Sequence, residues 1–109
     1  MTRTFIYTEP FQRAWKKMGL GDNELLVIED VLLKTPQLGK VIEGTGGVRK
    51  MRIQLEGRGK SGGGRVIYLD FLEKESIYMI FAYPKNVQED LTPDQKKAIC
   101  KIADTIRKE

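Results

Sequence analysis

The stretch RVIYLDFLEKESIYMIFAY, residues 65–83, sets the centre of the predicted fold. Two runs, RVIYLDFL and SIYMIFAY, are rich in β-branched and aromatic side chains, which favour strands. Both runs are apolar on both faces, so we expect two central strands of a sheet. The polar EKE between them suits a tight turn. The stretch therefore predicts an antiparallel hairpin.

A further strand is predicted just upstream, at residues 48–55, VRKMRIQL. Apolar side chains alternate here with polar, mostly cationic ones. Met51, Ile53 and Leu55 fall on one face, and Lys50, Arg52 and Gln54 fall on the other. Period-two alternation of this kind indicates a half-buried strand, and this one presents a cationic face to solvent.

Helical patterns precede these strands. After a short predicted strand at residues 3–8, RTFIYT, Thr8 is expected to cap a helix that carries Trp15 into the core. A second helix is predicted over residues 23–36, with Asp22 as its cap. Its apolar residues are expected to dock on the sheet: Leu25, Ile28, Leu32 and Leu33.

A third helix is predicted at the end of the chain, in LTPDQKKAICKIADTIRK, residues 91–108. Thr92 and Gln95 form a capping box, with Pro93 in the first turn. The sequence thus predicts one α+β domain over residues 1–109. In it, an antiparallel sheet packs against two N-terminal helices and one C-terminal helix.

The composition excludes several kinds of chemistry. The 109 residues include no histidine, which excludes Ser-His-Asp triads, Cys-His pairs and HExxH zinc sites. The single cysteine, Cys100, excludes an internal disulfide and a cysteine-cluster metal site, and favours a reducing compartment such as the cytoplasm. No apolar run is long enough to span a bilayer. We therefore expect no metal, no cofactor and no membrane partner.

The positive charge of the chain is concentrated in one segment. Residues 45–65 hold six basic residues and one acidic residue, whereas the rest of the chain holds 13 basic and 14 acidic residues. The six basic residues are Arg49, Lys50, Arg52, Arg58, Lys60 and Arg65. Such a patch attracts polyanions, although a solvated basic loop without function is the alternative interpretation.

Within this segment, GRGKSGGGR at residues 57–65 contains GKS, the tail of a nucleotide-binding P-loop, but it does not fit the whole motif. The first glycine of that motif is replaced by Gln54, and a predicted strand follows where a helix is required. The cations instead suit a phosphodiester. RNA supplies its own nucleophile, the 2′-hydroxyl, so lysine, arginine and tyrosine can serve without histidine.

Three further residues are candidates for this chemistry. Tyr83 and Lys85 lie in AYPKN at the end of the last predicted strand. Tyr68 follows the glycine-rich loop, although core packing is the favoured interpretation for it. Arg65 has the same parity as the apolar Ile67, so the direction of its side chain depends on a bulge or twist that the pattern does not reveal.

Two segments resemble one known family. GTGGVRKMRIQLEGRGKSGGGRVIYLDF, residues 44–71, and YPKNVQEDLTPDQK, residues 83–96, resemble the RelE/HigB superfamily of bacterial toxins. The likeness is to the HigB-type branch, with its GTGG-(L/V)-RK-x-R strand, GKxGG-x-R loop and Y-x-KN turn. The resemblance implies a toxin that cleaves messenger RNA in the ribosomal A site without a metal and leaves a 2′,3′-cyclic phosphate.

The resemblance also implies partners: the ribosome, mRNA and a cognate helix-turn-helix antitoxin, with DNA bound only through the antitoxin complex. The resemblance carries over five of these positions: Lys50, Arg52, Lys60, Arg65 and Lys85. Together with the candidates from the pattern, the predicted catalytic residues are Lys50, Arg52, Arg65, Tyr83 and Lys85. The predicted RNA-binding residues are Arg49, Arg58, Lys60, Tyr68 and Asn86.

One departure from the family leaves the general base open. Well-known RelE members have a catalytic tyrosine further toward the C-terminus, and no tyrosine follows Tyr83 here. Glu89, Asp90 or the ribosome are the alternatives. Two other functions stay open at this point: a non-catalytic RNA- or ribosome-binding module, and a protein whose basic loop docks an acidic partner segment.

Overall fold

The hairpin predicted from residues 65–83 forms the centre of the sheet. In the computed structural model, which describes residues 2–54 and 63–109, β4 and β5 pair antiparallel around a short 3-10 turn at Leu72–Lys74. The strands are β1 (Thr4–Tyr7), β2 (Lys40–Val41), β3 (Arg49–Ile53), β4 (Gly64–Phe71) and β5 (Ser76–Pro84). The helices are α1 (Glu9–Lys17), α2 (Asp22–Lys34) and α3 (Pro93–Lys108). The α+β class is confirmed.

The direction of one strand differs from the prediction. The sheet order is β1-β5-β4-β3-β2, and β1 runs parallel to β5, so the sheet is mixed and not antiparallel throughout. Thr8, directly after β1, fixes this edge. Its backbone N–H donates to Met79 O at 3.0 Å, and its hydroxyl donates to Ile80 O at 2.9 Å. The two-residue β2 was not predicted, because two residues are too few to show alternation.

The predicted N-cap residue is correct for two of the three helices. Thr8 and Thr92 cap α1 and α3, and Thr92 forms the expected capping box with Gln95. The predicted Asp22 cap is wrong by one residue, since Gly21 precedes α2 and its N–H donates to the Glu24 carboxylate at 2.7 Å.

Helices cover both faces of the sheet. On one face, α1 and α2 bury a cluster that includes Trp15, Ile28 and Leu32, as predicted. On that side Leu25 is partly buried, but Leu33 is 36% exposed and does not dock as expected. On the other face, α3 packs on the sheet through Ile99, Ala103 and Ile106. In the part of the chain that the structure describes, no helix is long and apolar enough to span a membrane.

Candidate functional site

Strand register brings the predicted cations onto one face of the sheet. Arg52 of β3 lies directly opposite Arg65 of β4, and Lys40 of β2 lies opposite Lys50 of β3. Opposed residues of antiparallel strands point to the same side, and residues two apart on one strand share a side. The direction of Arg65 is therefore settled without a bulge in β4. It shares the α3 face with Ile67, as its parity indicated, and Lys50 and Arg52 lie on that same face.

A bulge in the neighbouring strand reorients Tyr83. The register of β4 and β5 shifts at one position, where Ile80 is an extra residue on β5. Before the shift, Met79 packs on the α1 and α2 side; after it, Tyr83 lies opposite Arg65 and packs on the α3 side. Without the extra residue, simple alternation would place Tyr83 with Met79, on the opposite face from the cations.

These cations surround a cleft of about 680 Å³. Four of the five predicted catalytic residues line it: Lys50, Arg52, Arg65 and Lys85. The other described residues that line it are Leu38, Gly39, Lys40, Met51, Glu89 and Asp90. Five cationic side chains against two carboxylates give the cleft a positive charge balance, which attracts anions.

Arg52 and Arg65 form the most charged part of the cleft wall. Arg65 is only 8% exposed, and its Nη1 donates to the Gly64 carbonyl at 3.1 Å. Like charges placed directly opposite each other on neighbouring strands are destabilising. An arginine pair in this position therefore favours an anion between the guanidinium groups, and guanidinium geometry matches a phosphate.

An ion pair crosses the cleft. Lys50 Nζ lies 3.0 Å from Asp90 Oδ1, which belongs to the loop between β5 and α3. The Lys50 side chain is 31% exposed and the Asp90 side chain is 79% exposed. The contact thus places a carboxylate beside the cation predicted to act on RNA.

The turn after β5 carries two more predicted residues. Lys85 is exposed and lines the cleft, and its backbone N–H donates to Gly63 O at 3.0 Å, which ties the turn to the start of β4. Asn86 is exposed in the same turn but is not among the described residues that line the cleft.

Tyr83 lies beside the cleft and not in it. It is 2% exposed, and its hydroxyl donates to Glu89 O at 3.3 Å, on the loop that carries Asp90. Burial raises the pKa of Tyr83, the negative charge of Asp90 adds to the rise, and Arg65 opposes it. The phenol is therefore a protonated anchor for the loop at neutral pH, and the catalytic role expected for Tyr83 stays a prediction.

The expectation that Tyr68 contacts RNA is wrong, and its favoured core interpretation is confirmed. Tyr68 is 0% exposed and packs on the α1 and α2 side of the sheet. Its hydroxyl accepts from Gly39 N at 2.9 Å and donates to Pro36 O at 2.8 Å. Burial raises the pKa of Tyr68.

Arg49 is also separated from the cleft. It lies opposite Tyr68 and therefore on the other face from Lys50. Its Nη1 donates to Gly39 O at 2.7 Å and Gln37 O at 3.3 Å, at a second cavity. The remaining predicted RNA-binding residues, Arg58 and Lys60, lie outside the described residues, as does most of the glycine-rich loop.

Sequence reasoning missed Lys40 and Gly39. Lys40 lines the cleft from a strand too short to give a periodic signal. At Gly39 a Cβ atom would lie 2.9 Å from Lys50 O and 3.0 Å from the Tyr68 ring, so only glycine fits this approach. The glycine itself was the available signal, since it follows a helix and precedes a lysine.

The domain has helices on both faces of a five-stranded mixed sheet and a cationic cleft at the end of its central strands. Its three helices and mixed sheet match the fold of solved RelE structures. The family model described as the RelE toxin of the RelE/RelB toxin-antitoxin system matches residues 2–109, so the chain belongs to the RelE toxin family. The predicted RelE/HigB superfamily is thereby confirmed, while the HigB-type branch rests on the motif resemblance alone.

Solved structures agree on the fold. The isolated E. coli RelE toxin is 20% identical, with 93% of this chain and 99% of that chain covered and a TM-score of 0.54. In the intact E. coli RelBE toxin-antitoxin complex, the matched chain is 24% identical, over 76% of this chain and 96% of that chain, with a TM-score of 0.55. In the archaeal RelE-RelB complex from Pyrococcus horikoshii OT3, the matched chain is 21% identical. The match covers 81% of this chain and 100% of that chain, with a TM-score of 0.54.

Proposed function

We propose that this toxin-family protein is a ribosome-dependent mRNA endonuclease that inhibits translation. The observation that carries the proposal is the convergence of Lys50, Arg52, Arg65 and Lys85 on one cleft. These four residues come from two strands and a turn that the fold brings together at one cleft. A phosphodiester is the anion that best matches two opposed guanidinium groups with flanking ammonium groups.

The chemistry proposed for the cleft uses the nucleophile of RNA itself. The 2′-oxygen attacks the adjacent phosphorus and forms a 2′-O–P bond, while the P–O5′ bond breaks. The products are a 2′,3′-cyclic phosphate and a free 5′-hydroxyl. Negative charge grows on the non-bridging oxygens in the transition state, and Arg52 and Arg65 are positioned to stabilise it. Lys85 would hold a neighbouring phosphate.

The composition of the cleft supports dependence on the ribosome. Proteins that bind single-stranded RNA alone usually stack its bases on aromatic side chains. Among the described residues that line this cleft there is no aromatic one, and Leu38 and Met51 are its apolar members. The described part of the cleft thus offers strong contacts to phosphate and few to bases. The ribosome would make up for the few base contacts by holding the mRNA in a fixed position.

The partners proposed are the ribosome, its mRNA and an antitoxin. Two of the structurally similar proteins are toxins solved in complex with RelB antitoxins, and the family is defined as half of such a pair. We further propose that the antitoxin has a helix-turn-helix domain, that any DNA contact is made through it, and that the toxin acts in the cytoplasm, where ribosomes are.

The experiment that tests this function compares Arg65→Ala with wild type during induced expression. Translation is followed by amino-acid incorporation, and mRNA integrity is followed by primer extension. Wild type is expected to arrest translation and to cut mRNA within codons. Arg65→Ala is expected to lose cleavage by about 100-fold or more, as for loss of one donor to a developing oxyanion.

The matched control is Arg13→Ala, an exposed arginine on α1 that pairs with Glu9 outside the cleft. It is expected to behave as wild type. Since Arg65 is largely buried, Arg52→Ala serves as a second cleft variant with an exposed side chain. Arrest of translation by wild type with intact mRNA would favour a non-catalytic ribosome-binding module. Equal cleavage of naked RNA would refute ribosome dependence.

A further inference from the structure

The described part of the cleft contains few groups that can take a proton at neutral pH. Arginine does not deprotonate in proteins, and a lysine ammonium has three donors and no acceptor. Tyr83 is buried, its pKa is raised, and its hydroxyl donates a hydrogen bond to Glu89 O. Among the described residues that line the cleft, two carboxylates are left: Glu89 and Asp90.

The ion pair with Lys50 distinguishes Asp90 from Glu89. Asp90 Oδ1 lies 3.0 Å from Lys50 Nζ, so its carboxylate, although largely exposed, lies at the cleft beside Lys50. Glu89 contributes its backbone carbonyl, which accepts a hydrogen bond from the Tyr83 hydroxyl. That bond anchors the loop directly before Asp90 and so helps to place the Asp90 carboxylate.

We propose that Asp90 is the general base of the cleavage reaction and that Lys50, its partner in the free protein, is the general acid. This inference rests on the proposed ribonuclease function. A carboxylate and an ammonium that already contact each other provide an acceptor and a donor within reach of the same phosphodiester. When a phosphate enters, its charge replaces that of Asp90 beside Lys50 and the pair separates.

The proton transfers balance as follows. Asp90 accepts the proton of the 2′-hydroxyl as the 2′-O–P bond forms. Lys50 donates a proton to the 5′-oxygen as the P–O5′ bond breaks. The net result is a neutral Lys50 and a protonated Asp90, and exchange with water returns both to their starting states. In-line displacement requires the attacking and leaving oxygens to lie on opposite sides of phosphorus. The base and the acid must therefore act from opposite sides, which agrees with an Asp90–Lys50 pair that separates when the phosphate binds.

Asp90→Asn tests the proposal on ribosomes programmed with a defined mRNA. General acid–base catalysis contributes roughly 100- to 10,000-fold, so the single-turnover cleavage rate is expected to fall by about 100-fold or more. Ribosome binding, measured by sedimentation, is expected to stay equal or to become tighter, because a negative charge leaves a cationic cleft. Asp90→Glu is expected to restore part of the rate.

The pH dependence of the rate adds a second readout. Wild type is expected to gain activity as the Asp90 carboxylate ionises, and Asp90→Asn is expected to lose that acid limb. The charged groups that share the described cleft with Asp90 are Lys40, Lys50, Arg52, Arg65, Lys85 and Glu89. Asp94→Asn, an exposed change of the same charge in the first turn of α3, is the control and is expected to leave rate and limb unchanged.

Three outcomes would overturn the inference. If Asp90→Asn cleaves as fast as wild type or faster, Asp90 is only a counter-charge to Lys50. If the acid limb persists in Asp90→Asn, another group is the base. In both cases the proposed function stands. If wild type itself fails to cut ribosome-bound mRNA, the proposed function and this inference both fail.

Discussion

Individual residues of this protein divide by what their polar atoms contact. Arg52 and Arg65 oppose each other across two strands although like charges in that position are destabilising. Tyr68 and Tyr83 are both buried, but they lie on opposite faces of the sheet, and their hydroxyls bind different loops. The position of the two arginines agrees with the proposed binding of a phosphate, whereas the two tyrosines hold chain segments in place.

Tyr68→Phe is expected to destabilise the fold. The change removes the acceptor of the buried Gly39 N–H and the donor to Pro36 O. Leaving a buried donor unsatisfied costs about 1–3 kcal/mol, and urea unfolding measures the loss. Tyr7→Phe is the matched control, because the Tyr7 hydroxyl is buried and has no hydrogen-bond partner among the described residues. It is expected to be neutral or stabilising. Equal losses in the two variants would contradict the assignment.

Tyr83 is expected to make stability fall at alkaline pH. Its pKa is raised above the ordinary 10.0, mainly by burial, so the folded chain holds the phenol proton more tightly than the unfolded chain does. This contribution is fully present below about pH 10 and is lost as pH rises above it. Urea unfolding from pH 8 to pH 11 is expected to show a shallower decline in Tyr83→Phe. The same slope in both proteins would be evidence against the raised pKa.

The sequence predicts much of the site but not all of it. Lys50, Arg52 and Arg65 were found because strand alternation and a glycine-rich connection place cations at the ends of paired strands. Tyr68 was misplaced among the RNA contacts because parity alone does not say which face is buried against helices. Lys40 had no local signal, since its position opposite Lys50 depends on a pairing partner ten residues away.

At the scale of elements, local patterns predicted strands and caps well and strand partners poorly. The long strands β4 and β5 and the Thr92 cap of α3 follow from composition and spacing. The parallel pairing of β1 and the Ile80 bulge do not, because both depend on which strand lies alongside. The bulge matters most for function, since it places Tyr83 on the cleft side of the sheet.

Thr92→Ala is expected to lower stability by about 1 kcal/mol, the usual cost of losing a helix N-cap. The Thr92 hydroxyl accepts from Gln95 N at 3.1 Å, and this bond begins the helix that packs beside the cleft. Thr105→Ala on the same helix is the control; its exposed side chain caps nothing, and alanine is the better helix former. Thermal unfolding measures both. A larger loss for Thr105→Ala would contradict the capping role.

At the scale of the whole molecule, packing and charge are segregated. The α1 and α2 helices complete one face of the sheet, whereas α3 completes only part of the other and leaves the cationic end of β3 and β4 open. The excess positive charge of the chain lies in that same region of the sequence, residues 45–65. Of the six basic residues in that region, three line the cleft, Lys50, Arg52 and Arg65, whereas Arg49 lies on the other face.

Lys85→Ala is expected to weaken ribosome association and to reduce its salt dependence. Each phosphate contact to single-stranded RNA contributes about 0.7 to the slope of log affinity against log salt, so the slope should fall by roughly that amount. Sedimentation of ribosomes at several salt concentrations measures it. Lys101→Ala, an exposed lysine on α3 outside the cleft, is the control. An unchanged slope for Lys85→Ala would remove Lys85 from the RNA surface.

The most direct test of the cleavage mechanism is single-turnover cutting of ribosome-bound mRNA that carries one 2′-deoxynucleotide at the cut site. Wild type is expected to cut the all-ribose mRNA, to leave a 2′,3′-cyclic phosphate and to leave the substituted position intact, because the nucleophile is the 2′-oxygen. Cutting at the deoxy position at an equal rate would contradict the proposed chemistry of the Lys50, Arg52 and Arg65 cleft.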